Sequence, residues 1–521
     1  MYNSYTLIFM TINADLRILS RAASASVAVP AAPTGAGILH LGLGSFHRAH
    51  QAVYTAAAQR EQNDAWGIIG VASRSRGIVD GMRAQDLLYS VATISPTGTS
   101  LTIPGVHTDA FVGAEQPERV VSHLADPAIR IVTLTVTENG YSYSAATERL
   151  DLDAPALRAD LAGGAPRTTI GQLARGLQAR AGSGAPLSVL SCDNLASNGT
   201  HTEKLVREFL HALPAGEGEE TLAFLDRAVT FPSSMVDRIV PATTDELRGE
   251  VDALLGVRDG IPVPAEPFTM WAIEDRFAAG RPAWEAGGAV FTDEVGRYEQ
   301  MKVRLLNGTH SLIAYIGALR GAATIPAAIV EPPIAAAART VMRREYEPSI
   351  EIPTGVDIRA YEEELFARWA NSALGHRTSQ VGSDGSVKLR QRIPEPALLA
   401  LGQGRMPHLI ALTAAGYLAC LAPLPGFDPG PHAAAMSDPA RDRLAGFAGT
   451  VRDGAELARR VITDLQLFGT ALAHEDAFIA RVGELVDTIH RRGVDAALAD
   501  ATSAAEEGML EARTPTKEAR R

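Results

Sequence analysis

Short apolar runs alternate with segments of helical spacing over the first half of the chain. The apolar runs have the length and composition of buried strands. They are residues 37–41, 66–72, 129–137, 186–194 and 228–232. Between them, residues 167–180 and 201–213 carry apolar side chains at the spacing of an amphipathic helix. This alternation predicts an α/β domain with a mostly parallel, doubly wound sheet.

From about residue 294 the pattern changes to long segments that are rich in alanine and leucine and have a helical period. These segments are residues 302–321, 326–345, 361–374, 398–421 and 454–468. A stretch rich in proline and glycine, residues 423–431, interrupts them and is typical of a loop. Few strand signals remain, so the second half is predicted to form an all-helical domain.

The length of 521 residues exceeds what a single compact core usually holds. An apolar patch near the start, residues 5–10, lacks the basic region and the full-length apolar core of a signal peptide. The last residues are charged and contain Pro515, which is typical of a frayed or disordered end. We therefore expect a poorly ordered extension at 1–30, a sheet-containing domain at 31–293, a helical domain at 294–501 and a tail at 502–521.

Composition and charge narrow the class of protein. The formal net charge is −12, with 46% hydrophobic and 21% charged residues. This argues against nonspecific binding to nucleic acid or anionic membranes, which requires a basic surface. No window reaches the roughly 20 apolar residues of a membrane span. Cys192 and Cys420 are too few and too far apart for a disulfide framework or a zinc cluster. We expect a cytoplasmic protein that acts on a small molecule.

A glycine pair follows the first apolar run and precedes a helix-like segment. Gly42 and Gly44 would allow a tight turn and the close approach of a pyrophosphate to free N–H groups at the helix start. His47 stands where the dinucleotide fingerprint G-x-G-x-x-G has its third glycine. A metal site on His47 and His50 is the alternative, but both lie in the predicted cofactor turn, and we expect no metal. The residues assigned to cofactor binding in this segment are Gly42, Gly44, Ser45, Phe46 and His47.

The segment after the second apolar run is Ser73-Arg74-Ser75-Arg76 and contains no carboxylate. In an NAD-binding unit an acidic residue at this place usually holds the ribose 2′-hydroxyl. The arginines would instead receive the 2′-phosphate of NADP, or they are solvated surface charges. We include Arg74 among the cofactor-binding residues, and this pattern leaves the choice between NAD and NADP open.

Polar residues follow three of the predicted strands, where ligands bind in doubly wound folds. These places are Glu138 to Tyr141, Cys192 to Gly199 and Met235 to Arg238. Each alone is explained as well by turn chemistry, because Asn, Asp and Gly are ordinary turn residues. Together with the polar helix described next, they suggest a cleft between the two domains, with Glu138 on its cofactor side.

A polar face is predicted on residues 298–311. In a helix with about 100° per residue, Glu299, Lys302, Asn307 and His310 fall within an arc of about 140°. From periodicity alone, this face is either one side of an active site or a solvated surface with an ordinary charge pair.

Oxidation of a secondary alcohol by hydride transfer requires a base for the hydroxyl proton and N–H donors for the oxygen. A lysine serves as the base when desolvation and a neighbouring cation or amide lower its pKa. Lys302, with the amides of Asn307 and Asn198, would meet both needs without a metal. His310 would orient the substrate, and Glu299 would carry the released proton outward.

The chain resembles the mannitol dehydrogenase family, the polyol-specific long-chain dehydrogenases, from about residue 37 through the helical region. The matching motifs are Gly42-Leu-Gly44-Ser-Phe46-His47-Arg48-Ala-His50-Gln51, Thr135-Val-Thr-Glu138-Asn-Gly140-Tyr141, Ser191-Cys-Asp-Asn194 with Asn198-Gly199, Ser234-Met-Val236-Asp237-Arg238-Ile239-Val-Pro241, and Tyr298-Glu299 with Lys302, Asn307 and His310. The resemblance implies an N-terminal Rossmann-type dinucleotide-binding domain and an all-helical C-terminal domain. It also implies metal-independent oxidation of polyols or sugar acids with a nicotinamide cofactor.

The resemblance implies roles for individual residues as well. The family's general base falls on Lys302, and its oxyanion pair falls on Asn198 and Asn307. His310 and Asp237 match contacts to substrate hydroxyls. The carboxylate of the proton relay matches Glu299.

A further segment bears on the substrate. Asp384-Gly385-Ser386-Val387-Lys388 is similar to the family's D-G-S-x-K segment, which makes Lys388 a candidate for binding a polyol hydroxyl or a carboxylate. Mannitol 2-dehydrogenases place an arginine four residues before this aspartate, whereas this chain has Gln380, as in relatives that act on hexuronates. The segments 376–378 and 388–392 are likewise similar to fructuronate reductases. The resemblance therefore favours interconversion of D-fructuronate and D-mannonate with NAD, with NADP as the alternative.

Two other functions stay open. A mannitol 2-dehydrogenase or another polyol dehydrogenase, such as an arabinitol dehydrogenase, would share these motifs. A non-catalytic dinucleotide-binding sensor would need the glycine turn but not Lys302, Asn307 and His310 together. The oligomeric state is not determined, because an alanine-rich helical domain can bury its apolar faces within one chain or between chains.

Overall fold

The computed structural model describes residues 16–513, apart from residues 24, 62–64, 145–146 and 215. The side chains of residues 138–139 and 508–513 also lie outside the description. The chain divides after Gly296 into two compact units, called the first and the second unit below. The sequence placed the domain boundary after residue 293. No helix in the described residues is long and apolar enough to cross a bilayer.

All named strands of the described residues lie in the first unit. They are β1 (Ala36–Leu41), β2 (Gly67–Ala72), β3 (Val91–Ser95), β4 (Gly98–Thr102), β5 (His107–Val112), β6 (Ile131–Leu134), β7 (Tyr143–Ser144), β8 (Arg149–Leu150), β9 (Leu187–Ser191), β10 (Val229–Thr230), β11 (Ser234–Asp237), β12 (Val263–Ala265), β13 (Met270–Ile273) and β14 (Val290–Phe291).

A six-stranded sheet in the order β10-β9-β6-β1-β2-β5 forms the centre of the first unit, and each neighbouring pair is parallel. Side chains of β1 alternate between the two faces of this sheet. Ile38 belongs to one apolar core, together with Tyr54, whereas Leu39 and Leu41 belong to a second core, together with Leu173. Both faces are thus covered, which confirms the predicted Rossmann-type, doubly wound sheet.

Helices cover the sheet and join its strands. The first unit contains α1 (Ser45–Ala49), α2 (Gln51–Glu61), α3 (Arg76–Ala84), α4 (Pro117–Ala125), α5 (Pro155–Leu161), α6 (Thr169–Ala181), α7 (Asn198–His211), α8 (Glu219–Ala228) and α9 (Asp245–Leu255), with 3₁₀ turns at Glu138–Tyr141 and Trp284–Gly287. The helix α10 (Val295–Met301) crosses the division between the units.

Three smaller sheets complete the first unit, in the orders β11-β13-β14, β12-β3-β4 and β7-β8. Of these strands, only β11 was part of a segment that the sequence analysis singled out. The strand β5, at the edge of the central sheet, was not predicted either. Its sequence interrupts the apolar run with Thr108 and Asp109, both partly exposed, so its pattern lacks the continuous apolar character of a central strand.

The segment before β1 differs from the expected poorly ordered extension over residues 1–30. Residues 1–15 lie outside the described residues. In the described part, Leu19 is fully buried, and its N–H donates to the carbonyl of Arg258 at 2.8 Å. The N–H of Arg258 in turn donates to the carbonyl of Arg17 at 2.8 Å. These backbone bonds and the burial of Leu19 in an apolar cluster with Leu255 hold this segment on the first unit.

The second unit is helical throughout its described residues, as predicted. It contains α11 (Thr309–Leu319), α12 (Ile325–Ile329), α13 (Pro332–Val341), α14 (Ile358–Trp369), α15 (Thr378–Gly382), α16 (Gly385–Arg392), α17 (Pro394–Gly402), α18 (His408–Leu421), α19 (Gly430–Ala434), α20 (Arg441–Ala448), α21 (Gly454–Arg459), α22 (Asp476–Arg492) and α23 (Val494–Arg513). Segments with π-helical hydrogen bonds occur at Lys302–Gly308, Met342–Tyr346 and Arg460–Asp464, and 3₁₀ turns occur at Glu347–Ser349, Ser372–Leu374 and Leu472–His474.

Two predicted long helices are broken. The segment 326–345 divides because Pro332 starts a new helix, where its missing N–H costs nothing. The segment 398–421 divides where Gly404 adopts a positive φ of 71° shortly before Pro407. In the expected tail, α23 continues to Arg513, whereas residues 514–521 lie outside the described residues.

Candidate active site

The turn after β1 has the geometry of a dinucleotide-binding loop. Gly42 adopts φ +107°, and a Cβ at this position would lie 2.1 Å from the carbonyl oxygen of Thr135. The N–H groups of Gly42 and Leu43 donate to the carbonyl of Val71 in β2 at 2.9 and 3.0 Å. Only glycine fits this close approach, and the turn leads through Gly44, the N-cap residue, into α1.

His47 takes the place of the third fingerprint glycine, and its side chain points into the core. It is fully buried, with its ring stacked on His40 at 3.4 Å between ring centroids and its Nε2 3.2 Å from Nε2 of His107. We call His40, His47 and His107 the first histidine cluster. Burial, followed by the neighbouring imidazoles and Arg48, holds the pKa of His47 well below its usual value. The geometry therefore makes the His47 side chain a packing element between helix and sheet rather than a contact to a cofactor.

His47 and His50, the residues of the alternative metal site, have ring nitrogens that lie close to other protein atoms. Nε2 of His50 lies 3.0 Å from the carbonyl oxygen of Met270, and its Nδ1 lies 3.1 Å from Nε2 of Gln51. Across the part of the chain that the structure describes, no group of three or more His, Cys, Asp or Glu residues could hold a metal ion.

The other predicted cofactor residues occupy varied places in the first unit. Ser45 and Arg74 are exposed, the first at the start of α1 and the second just beyond β2. Phe46 is partly buried and stacks on His50 at 5.0 Å between ring centroids. Glu138 begins the 3₁₀ turn after β6, and its side chain lies outside the described residues.

Asn198 is the first residue of α7 and is fully buried. Its Nδ2 donates to the carbonyls of Asp193 at 3.0 Å and Ser234 at 2.7 Å, and its Oδ1 accepts the N–H of Ser234 at 2.9 Å. A side-chain amide has only two N–H bonds to donate. Both are used to tie the end of β9 to β11, so the oxyanion role of Asn198 stays a prediction that requires one of these bonds to open.

Asp237 ends β11 and is buried, opposite Met270 of β13. Asn198 therefore fixes the first residue of the strand on which Asp237 is the last. Asp237 thus lies on the strand whose first residue is hydrogen-bonded to Asn198.

The predicted polar helix of the second unit is not a regular α-helix. Lys302 opens the π-helical segment Lys302–Gly308 between α10 and α11. A π turn bonds residue i to i+5, so the spacing of about 100° per residue does not hold across it. Lys302 is only 9% exposed, and Glu299 and Asn307 are partly buried. The interpretation as a solvated helix face is therefore excluded for Lys302.

His310, near the start of α11, is 8% exposed, and its Nε2 has no hydrogen-bond partner among the described residues. Its ring lies 5.1 Å from the ring of His376, nearly perpendicular to it, and 6.1 Å from the ring of Trp369. Burial lowers the pKa of His310 well below its usual value. The neighbouring groups that lower the same pKa further are His376, Arg392, Arg368 and Lys388.

Cationic side chains lower the pKa of both imidazoles. Burial, then Lys388 and Arg368, lowers the pKa of His376 to about 4. Both rings are therefore neutral near pH 7. We call Arg368, Lys388 and Arg392, together with His310 and His376, the cationic cluster of the second unit.

The two remaining predicted substrate residues differ in their surroundings. Lys388 lies on α16, donates from Nζ to the carbonyl of Ser383 at 2.8 Å, and stands 4.0 Å from the carboxylate of Asp384. It belongs to the cationic cluster. Gln380 is exposed on α15.

Sequence reasoning missed Arg368. It lies near the end of α14, next to Trp369, and is only 7% exposed. An arginine on an amphipathic helix usually points to solvent, so the sequence held no signal for its burial. His376 and Arg392 were noted only as part of a resemblance.

Comparison with known protein families gives two matches along the chain. The profile of the Mannitol dehydrogenase Rossmann domain matches residues 36–286, and that of the Mannitol dehydrogenase C-terminal domain matches residues 294–490.

Individual proteins match over most of their length. A D-mannonate oxidoreductase of Escherichia coli is 40% identical over 387 residues, which is 73% of this chain and 79% of that protein. A mannitol dehydrogenase of Saccharomyces cerevisiae is 34% identical and covers 89% of this chain and 91% of its own length. The solved ternary complex of Pseudomonas fluorescens mannitol 2-dehydrogenase with NAD and D-mannitol is 32% identical, with a TM-score of 0.78 over 90% of this chain and 95% of that chain.

Proposed function

The chain belongs to the mannitol dehydrogenase family of oxidoreductases, and from this premise we propose that it interconverts a keto-sugar acid and its secondary alcohol with NAD. The substrate pair that we favour is D-fructuronate and D-mannonate. The similarity to the D-mannonate oxidoreductase supports this choice, and so does Gln380 in place of the arginine of mannitol 2-dehydrogenases.

One observation carries the catalytic part of the proposal. Lys302 is buried at the start of a π-helical segment, with Asn307 in the same segment and His310 just after it. π-Helical segments within α-helices occur frequently at functional sites. Burying a lysine side chain costs free energy, and such a cost is often retained where the group takes part in the chemistry of a site.

The proton follows a defined route in the proposed reaction. When the alcohol is oxidised, the C–H hydrogen leaves with two electrons, the C–O bond becomes a carbonyl, and the hydroxyl proton passes to the Lys302 amine. The side-chain amide of Asn307 donates to the oxygen as its charge changes. Glu299, one turn before Lys302, then takes the proton outward. Reduction follows the same route in reverse, with Lys302 as the acid.

Two features of the turn at Gly42 suit a dinucleotide. Gly42 packs closely against the carbonyl oxygen of Thr135, where a side chain would not fit. The first N–H groups of α1 have no partner within the helix and are available to a phosphate. When bound, the nicotinamide cofactor supplies the acceptor for the hydride. We propose that the backbone from Gly42 to Phe46 holds its pyrophosphate. The exposed Arg74 keeps NADP as the alternative, because it offers a cation where an acidic residue would select the 2′-hydroxyl.

A neutral-polyol enzyme is the second candidate. The similarity to the mannitol dehydrogenase of Saccharomyces cerevisiae and to the Pseudomonas fluorescens structure favours it. A non-catalytic sensor is less well supported, since it would not need a buried lysine together with His310.

A substrate panel tests the proposal. Oxidation of NADH and of NADPH is followed by absorbance with D-fructuronate, D-tagaturonate, D-fructose and D-xylulose. We expect the highest kcat/KM for a keto-hexuronate with NADH. Activity on fructose with none on either hexuronate would replace this proposal by the neutral-polyol function.

A further inference from the structure

Arg392, at the end of α16, is partly buried, and few protein groups balance the positive charge of its guanidinium. Its Nη1 donates to Oγ of Ser311 at 2.8 Å, and within the described part of the chain it forms no ion pair. Burial lowers its pKa, and the groups that raise this pKa are the hydroxyls of Tyr315 and Tyr346, not carboxylates.

Two other buried arginines among the described residues have their donors or their charge satisfied. Arg180 donates to five backbone carbonyls, those of Leu124, Asp126, Ile129, Ala185 and Pro186. Arg304 pairs with the carboxylate of Glu395. Removing a cation from water without such partners costs several kcal/mol. Arg392 has neither the five carbonyls of Arg180 nor the carboxylate of Arg304.

A second observation, independent of Arg392, concerns His310. Its Nε2 is buried and has no hydrogen-bond partner among the described residues, although buried polar atoms normally have one. The charged groups that act on this ring are all cationic, and they come from α14 and α16. An unsatisfied imidazole nitrogen beside three cations is a fitting environment for an anion.

We propose that the cationic cluster binds the carboxylate of the sugar-acid substrate, with Arg392 and Arg368 as the residues that select an acid over a neutral sugar. This inference rests on the proposed function and deepens it. A planar guanidinium matches the two oxygens of a carboxylate and forms charge-assisted hydrogen bonds with them. The neutral imidazole of His310 adds a donor at Nε2. A primary alcohol in place of the carboxylate would leave the charge of Arg392 without an anionic partner.

The substitution Arg392→Gln tests this inference, with Arg392→Lys as the variant that keeps the charge. Arg390→Gln is the matched control, because Arg390 lies on the same helix, is exposed, and donates to the carbonyl of Leu467. Each protein is assayed with D-fructuronate and with D-fructose, which differ in the carboxylate. Inhibition by D-gluconate, a sugar acid without a ketone, reports carboxylate binding without turnover. Thermal melting shows whether each variant is folded, and Arg368→Gln serves as the second test if Arg392→Gln is not.

We expect Arg392→Gln to lower kcat/KM for fructuronate by about 100-fold, mainly through KM, as for loss of charge-assisted hydrogen bonds. Inhibition by gluconate should weaken to a similar degree. The kcat/KM for fructose should change by less than about threefold, since no charged group of the substrate is involved. Arg392→Lys should retain part of the preference, and Arg390→Gln should behave as the wild type.

The outcomes separate this inference from the proposed function. If the wild type reduces fructuronate but Arg392→Gln lowers both substrates equally, the role of Arg392 is structural and the inference is overturned, while the function stands. If the wild type reduces fructose only, the proposed function fails. In that case Arg392-dependent inhibition by gluconate would still support a carboxylate site, and inhibition independent of Arg392 would overturn it.

Discussion

Each unit contains buried histidines, and the two groups differ in what surrounds them. In the first histidine cluster, both ring nitrogens of His40 have partners, Oγ1 of Thr133 at 2.8 Å and Oγ1 of Thr135 at 3.0 Å. Nδ1 of His47 and Nδ1 of His107 have no hydrogen-bond partner among the described residues, and neither has Nε2 of His310 in the cationic cluster. Burial is the largest cause of the lowered pKa in both groups. Burial, a lowered pKa and an unpartnered ring nitrogen therefore do not by themselves distinguish a structural histidine from a functional one.

The arginines beside these histidines show the difference more clearly. Arg48, near the first cluster, donates to the carbonyl of Ile261 at 2.5 Å, stacks over Tyr89 at 5.1 Å, and has the carboxylate of Asp259 among the groups that raise its pKa. Arg392 has only phenolic groups in that role. A carboxylate is among the groups that raise the pKa of Arg48, and none is among those that raise the pKa of Arg392. This difference leads us to assign packing to the first cluster and to propose anion binding for the second.

The largest effect should come from substitution of Lys302, which precedes His310 of the cationic cluster by about two turns of helix. Lys302→Ala should lower kcat by about 10³-fold or more, as expected for loss of a positioned acid–base group. Steady-state kinetics at pH 7 measures it. Lys204→Ala, an exposed lysine of α7, is the control and should be silent. A variant that kept near-normal turnover at neutral pH would remove Lys302 from the mechanism.

The comparison itself is tested by making one substitution in each cluster. His310→Gln should lower kcat/KM by about 10- to 100-fold with a small change in Tm, because it removes the proposed substrate contact. His47→Gln should lower Tm more and disturb catalysis less, because His47 is a packing residue. Kinetics and thermal melting are needed for both. The reverse pattern would mean that the two clusters have been assigned the wrong way round.

The turn beside the first cluster offers a smaller effect. Gly42→Ala should raise KM for the cofactor by about tenfold or more, because its Cβ would meet the carbonyl of Thr135 and move the turn. Gly163→Ala is a matched control, since Gly163 also has a positive φ, of 89°, but no atom within 4 Å of the added Cβ. An equal effect of both substitutions on cofactor KM would show that backbone strain, not the close approach, is what matters.

The smallest effect concerns Glu345, a buried acid of the second unit outside the cationic cluster. It accepts the N–H groups of Leu409 and Ile410 at 2.9 and 2.7 Å, and burial raises its pKa to about 7. A pKa raised from 4.5 means that the neutral form fits the fold, so its stabilisation is complete below about pH 4.5 and is lost as pH rises through 7.

Glu345→Gln should therefore show a smaller decrease in Tm between pH 5 and pH 8 than the wild type, with unchanged preference between fructuronate and fructose. Thermal melting over this pH range measures the first quantity. An identical pH dependence in both proteins would exclude Glu345 as the source.

The central strands could be predicted because their residues are buried on both faces and leave continuous apolar runs, as in β2 and β9. The edge strand β5 could not, because it carries exposed polar residues. The glycine turn was predicted from Gly42, but the inward position of His47 depends on His40 and His107, which are distant in sequence. No local pattern contains that contact.

The polar segment 298–311 was predicted as a regular α-helix, because the prediction assumed a constant rotation of about 100° per residue. The π-helical hydrogen bonds at Lys302–Gly308 depend on packing within the folded unit and leave no sequence period. Similarly, the approach of Arg368 to His310 joins α14 to α11, and only the fold reveals it. The sequence analysis identified the residues that belong to a family motif. It missed Arg368, which belongs to none of these motifs.

The most direct test of the account is a crystal structure of the protein with NAD and D-mannonate. The distance to measure is that between the substrate carboxylate and the guanidinium of Arg392. We expect at least one carboxylate oxygen within about 3.2 Å of a guanidinium nitrogen, the range of a hydrogen bond. A carboxylate that points to solvent or to other residues, with Arg392 still bonded to Ser311 alone, would contradict the assignment of the cationic cluster.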